Sequence, residues 1–207
     1  MPAPRKPRQA RSRNTYEAII QGGFLCLMQQ EPGDITTHHI AAAAGVGIGS
    51  LYEYFGNKEA VFAAMNQRFS EDLLAMLRGL EPRIASMEVN EVVRTILFSA
   101  RDFMMQQEGR YLTYARISLL AASRAQLEPI IRCLSEVAMQ YMFRHPELTR
   151  LPRVQIMIYI FANSGIALMH RYLSDPNPPF PFEDFADGIA AMVGHYIAQE
   201  LQQLKRA

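Results

Sequence analysis

The sequence predicts an all-α protein of about nine helices, with a helix-turn-helix segment near its N-terminus and a larger helical region after it. Three observations carry this. Apolar residues recur at helical spacing along most of the chain, as in Tyr16, Ile20, Phe24 and Leu27. Prolines and glycines punctuate these runs, and no strand, internal repeat or low-complexity segment stands out between them. The 207 residues, 49% hydrophobic and 20% charged, are enough for a sizeable core.

Taken in order, residues 1–10 hold three prolines and read as a flexible arm. A first helix is expected from about Arg11 to Gln30, ending before Pro32-Gly33. Residues 34–56 then read as two short helices across a tight turn. Thr36 is placed to cap the first of them, with Ile40 to Ala44 as its small and apolar body. Gly45 supplies the left-handed turn. Val46 and Leu51 are spaced to share one core, and Asn57 is placed to cap a long connecting helix over 57–80, with Phe62, Met65, Phe69 and Leu73 as its stripe.

The remainder, 81–207, divides at its breakers. Pro82 stops the connecting helix, a helix from Asn90 to Gln107 is broken by Gly109, and a shorter one runs from Arg110 to Ala122. The next begins near Gln126, with Pro129 in its first turn, and ends at His145-Pro146. Thr149 is expected to cap a helix reaching Ser174. The loop from Asp175 to Pro181 holds four prolines. A last helix from Phe182 to Lys205 opens with Glu183 and Asp184 and closes with basic residues, matching the helix dipole at both ends.

The formal net charge of +1 conceals an asymmetry. Arg5, Lys6, Arg8, Arg11 and Arg13 give residues 1–13 a charge of +5, whereas residues 14–80, with three basic and seven acidic groups, carry −4. Such a basic arm suits phosphates, or serves only to solubilise. The N-terminus lacks the apolar core of a signal peptide, so a cytoplasmic protein is expected. The apolar run from Val154 to Met169 is interrupted by Gln155, Asn163 and Ser164 and reads as a buried helix, with no membrane partner. Cys26 and Cys133 read as two packed thiols in preference to a disulfide. Five scattered histidines and the lack of a phosphate-cradling loop give little support to an enzyme, and no metal site or cofactor is expected.

The run Thr36-x-x-x-Ile40-Ala41-x-x-Ala44-Gly45-Val46-x-x-Gly49-x-Leu51-Tyr52-x-Tyr54-Phe55-x-Asn57-Lys58-Glu59 resembles the DNA-binding domain of TetR-type transcriptional regulators. The resemblance covers about the first 65 residues. It implies a three-helix DNA-binding domain over 11–56, with Thr36, Ser50, Tyr52, Tyr54 and Lys58 at positions that commonly touch DNA. Arg11, Thr37, His38, Ile48 and Gly49 complete the expected reading surface. The sequence departs from the family at Gly47, where a hydroxyl cap is usual, at Ile48, where a basic residue is frequent, and at Gly49. Charged base readout is therefore weak, and Ile48 is suited to a thymine methyl. Tyr52 either faces the groove or packs between helices; His38 and His39 either touch DNA or stand solvated.

A short reading head cannot single out one genomic site, so a homodimer on a palindromic, double-stranded operator is expected. Small residues in the last two helices suit close helix approach, within one chain or between two. The expected interface is Ser164, Gly165, Leu168, Ile189, Met192, Val193 and Tyr196. The resemblance, not the composition, implies a small-molecule ligand that releases DNA. Phe98, Arg101, Phe103, Met104, Tyr114, Tyr141, Met157 and Phe161 are the expected pocket for a hydrophobic or aromatic one. The alternative is a helical ligand-binding or interaction module without sequence-specific DNA binding.

Overall fold

The computed structural model describes residues 10–118 and 124–206, and these form nine α-helices and one 3-10 turn with no strand. They belong to two compact units, Met1–Glu71 with Met105–Tyr114, and Asp72–Met104 with Ala115–Ala207. The arm over residues 1–9 lies outside the described residues.

In the first unit, α1 (Ala10–Leu27) buries Ile19, Ile20 and Phe24, the side chains its helical spacing put on one face. α2 (Thr37–Ala43) starts where the Thr36 hydroxyl accepts from the His39 amide at 3.2 Å. It ends in a Schellman closure: Gly45, at φ 66, donates to the Ala42 carbonyl at 3.1 Å and Val46 to that of Ala41 at 3.0 Å. That closure reverses the chain into α3 (Ile48–Tyr54), whose Leu51 is fully buried and whose end is followed by the buried Phe55. α4 (Lys58–Gly79), which belongs to this unit as far as Glu71, is capped by Asn57, which accepts from the Ala60 amide at 2.9 Å. Phe24 and Phe69 then meet Tyr111 and Tyr114 edge-on or tilted at 5.2 to 5.4 Å, closing the unit's core.

The second unit holds α5 (Glu81–Ile84), most of α6 (Val89–Ser118), α7 (Arg124–Phe143), α8 (Val154–Ser174) and α9 (Phe182–Arg206). Tyr141 of α7 donates to the Met87 carbonyl at 2.7 Å and meets the His145 ring, tilted by 31°, at 4.2 Å, and His145 meets the Ala85 carbonyl at 3.2 Å. Leu97, Met169, Phe182 and Ala186 make a buried cluster of α6, α8 and α9. Among the described residues no helix is long and apolar enough to cross a membrane.

Three expectations give way. Gly109 does not end a helix: α6 runs on to Ser118, because Glu108 (φ 62) and Gly109 (φ 76) turn left-handed together and the helix resumes at once. Residues 119–122 of the expected shorter helix lie outside the described residues. Thr149 does not cap α8, because its hydroxyl donates to the Pro146 carbonyl at 2.7 Å within a 3-10 turn, Leu148–Arg150. α8 starts instead after Arg153, which is left-handed at φ 61 and offers no side-chain cap. Lastly, α1 stops at Leu27, as the amides of Met28 to Gln30 bond back in a tightened final turn.

Candidate nucleic-acid interface

The geometry of α2 and α3 follows from how closely α1 backs them. Gly22 has no Cβ, and one placed there would lie 2.7 Å from the Ile40 carbonyl oxygen and 2.8 Å from the Ala44 nitrogen. Nearer the start of α1, Tyr16 stacks on Phe55 at 5.0 Å and 24° and meets Tyr54 edge-on at 6.3 Å. α3 is thus fixed along the edge of α1, with its other face outward.

On that outward face, Tyr52 is 53% exposed and its hydroxyl lies 3.1 Å from that of Thr37. The pair joins the first turn of α2 to the middle of α3. Thr36 and His38 are exposed beside it in sequence, Gly49 is exposed, and Ile48 and Ser50 are half-buried. Glu53 is also exposed on α3, so the helix offers an acid and no basic group among its seven residues. Gly47 gives α3 no side-chain cap.

Two expected contacts are occupied within the protein. The Tyr54 hydroxyl lies 2.9 Å from that of Ser12, tying the start of α1 to the end of α3. The Lys58 ammonium donates to the carbonyls of Ile35, Gly33 and Pro32 at 2.9, 3.2 and 3.4 Å. Ser12 had no signal in the sequence. Gly22 did, since paired glycines inside an amphipathic helix imply close packing. The Arg11 side chain lies outside the described residues.

Several of the residues expected to line a pocket are buried or paired within their own unit. The Arg101 guanidinium sits between Phe98 and Phe182, 4.7 and 4.8 Å from their centroids, and pairs with Asp102 and Glu183. Phe103, Met104 and Met157 are buried. Tyr114 donates to Asn66 at 3.0 Å in the first unit. Phe161 meets Tyr196 edge-on at 5.9 Å. A cleft of about 120 Å³ between α5 and α7 is lined by Glu81, Pro82, Ile84, Ala85, Val137, Gln140, Tyr141 and Arg144, sharing only Tyr141 with that set. Burial, then neighbouring Glu88 and Glu147, push the Tyr141 phenol up to about 12. Among the described residues no group of three His, Cys, Asp or Glu is placed to hold a metal.

On α8 and α9, Leu168, Met192 and Tyr196 are exposed, Ser164, Gly165 and Ile189 are half-buried, and Val193 is buried. Ile156, Tyr159 and Ile160 are 55%, 62% and 53% exposed, and their i, i+3, i+4 spacing sets these three on one face of α8. The Ser164 hydroxyl is turned inward to its own helix, donating to the Ile160 carbonyl at 2.7 Å.

Residues 19–65 match the profile of bacterial regulatory proteins, tetR family. Nucleoid occlusion factors SlmA from Haemophilus ducreyi and Actinobacillus pleuropneumoniae are 28% and 27% identical over 108 residues, 51% of this chain and 50% of theirs. The chain thus spans about half the length of the curated relatives it matches. The fold is similar to the fatty acid degradation regulator FadR from Bacillus halodurans, with a TM-score of 0.64 at 16% identity over 95% of this chain and 96% of that one. It is also similar to SmeT, the repressor of a Stenotrophomonas maltophilia multidrug efflux pump, with a TM-score of 0.60 at 17% identity over 89% and 90%.

Proposed function

We propose that this chain, whose N-terminal domain belongs to the tetR family of bacterial regulatory proteins, is a homodimeric transcriptional repressor that a small hydrophobic or aromatic ligand releases from a palindromic operator. The observation that carries the reading is the Thr37–Tyr52 hydroxyl pair at 3.1 Å, which holds exposed groups of α2 and α3 on one surface of a scaffold fixed from behind by Gly22 and Tyr16. Such a head enters the major groove with α3, while flanking hydroxyls and amides meet phosphates. Ile48, Ser50, Tyr52 and the backbone at Gly49 read the bases, and the arm from Arg5 to Arg11 supplies most of the positive charge. The protein acts in the cytoplasm.

Dimerisation is assigned to α8 and α9. Ile156, Tyr159, Ile160 and Leu168 on α8, with Met192 and Tyr196 on α9, leave large apolar side chains in water, a cost that a second copy removes. It also fixes two heads at a set spacing, about 34 to 36 Å for half-sites one helical turn apart.

A second reading, an interaction module without sequence-specific DNA binding, is favoured by one observation: α3 carries no basic side chain. Fluorescence anisotropy with the DNA upstream of the coding sequence, titrated with salt, separates the two. A repressor holds its operator well above random DNA, with log affinity falling steeply against log salt, by about 0.9 per phosphate contacted. Equal affinity for both DNAs refutes the proposal.

A further inference from the structure

We infer that Lys58 is a positioning residue that holds the reading head together, not a contact to the DNA backbone. The inference rests on the DNA-binding reading above and reassigns one residue within it. An ammonium group has three N–H donors and no more. Three carbonyl oxygens, of Ile35, Gly33 and Pro32, lie within hydrogen-bond distance of it at 2.9, 3.2 and 3.4 Å. The donors are therefore spent inside the protein.

The location of those carbonyls gives the bonds their meaning. They belong to the turn that delivers the chain into α2, which is closed by the Asp34 amide donating to the Glu31 carbonyl at 3.0 Å. Ile35 is fully buried, and the next two residues are the α2 cap Thr36 and the Tyr52 partner Thr37. Lys58 is itself the first residue of α4, directly after its cap Asn57. One side chain thus fastens the start of α4 to the entry of α2, and the converging carbonyl dipoles make a local negative site that a tetrahedral ammonium fits. Reaching a phosphate requires surrendering bonds to fixed carbonyls for one to a solvated oxygen. A guanidinium is planar and cannot aim three donors at three converging oxygens in the same way.

The test uses the full chain, with Lys58→Met and Lys58→Arg, in anisotropy titrations on its operator across a range of salt. In Lys58→Met the operator affinity falls about tenfold while the slope of log affinity against log salt stays at the wild-type value. Lys58→Arg does not restore the affinity. Without DNA, the Asp34 amide exchanges with solvent about tenfold faster in Lys58→Met. A salt slope smaller by about 0.9, the signature of one lost phosphate contact, overturns the inference. Full affinity in Lys58→Arg overturns it too. Should the wild type show no sequence preference, the DNA-binding reading fails by itself; Lys58 is then judged on the exchange of Asp34 alone, and an unchanged rate refutes its role. If Lys58→Met melts below the assay temperature, Lys58→Gln is measured in the same way.

Discussion

Gly22 and Ile40 meet backbone to backbone: a Cβ on Gly22 would lie 2.7 Å from the Ile40 carbonyl oxygen and 2.9 Å from the Ala44 Cβ. In an open helix, glycine to alanine gains about 1 kcal/mol from propensity. Here the obstacles are backbone atoms, which cannot swing aside, and overpacking costs of about 1 to 3 kcal/mol outweigh that gain. Gly22→Ala is expected to lower the melting temperature by several degrees and to weaken operator binding as α2 is pushed outward. Gly23→Ala, where the nearest atom is the flexible Met65 Sδ, is expected to be milder in a parallel thermal melt.

Tyr52 separates reading from folding. Its ring is 53% exposed and its hydroxyl bond to Thr37 lies at the surface, so removing it costs little stability. Tyr52→Ala is expected to weaken operator affinity about tenfold, equivalent to about 1.4 kcal/mol, while the melting temperature moves by no more than about 2 °C. Anisotropy and circular dichroism on one preparation check both halves.

Tyr141 predicts an alkaline limit to the second unit's stability. Burial disfavours the phenolate and pushes the folded pKa up to about 12, above the ordinary value of 10.0. A raised folded pKa means that its contribution is complete below pH 10 and is lost as pH climbs towards 12, where the unfolded chain ionises first. Tyr141→Phe is expected to be less stable at pH 8, since the Met87 carbonyl loses its donor, and to lose less stability than the wild type between pH 10 and 12. Urea melts across that range measure it.

Ile160 tests the α8 face. At 53% exposure it contributes little to the fold of one chain. Ile160→Lys places a charge where two copies are proposed to meet, so light scattering is expected to report a monomer with an almost unchanged single-chain circular dichroism spectrum. Operator affinity should fall steeply with it, as two linked half-sites become one.

Glu108 holds a left-handed conformation that costs a non-glycine residue about 1 to 2 kcal/mol. Glu108→Gly is therefore expected to raise the melting temperature by a few degrees. Gly109→Ala, at φ 76, is expected to lower it.

Local chemistry in the sequence announced the helix-turn-helix well. The Thr36 and Asn57 caps, the left-handed Gly45 and the buried Leu51 each depend on a side chain and its near neighbours, and each stands as expected. What was hidden depends on distant partners. Ser12 meets Tyr54 across 42 residues, and Lys58 reaches carbonyls 23 to 26 residues away. Neither bond leaves a periodicity to find. Gly109 misled because a glycine signals a left-handed residue without saying whether the helix resumes after it. Composition could rank Met- and Tyr-rich stretches as pocket material, but it could not foresee Arg101 filling the space between Phe98 and Phe182.

The two cysteines have a practical consequence. Cys26 and Cys133 are 3% and 1% exposed, and burial raises both thiols above their usual range, so neither presents a ready thiolate to a maleimide or a methanethiosulfonate at neutral pH. The natural chain is thereby a nearly silent background for thiol labelling. A single cysteine placed at the exposed Glu53 would carry a spin label on each α3, and the distance between the two labels in a dimer would read the spacing of the heads directly, with and without an added effector.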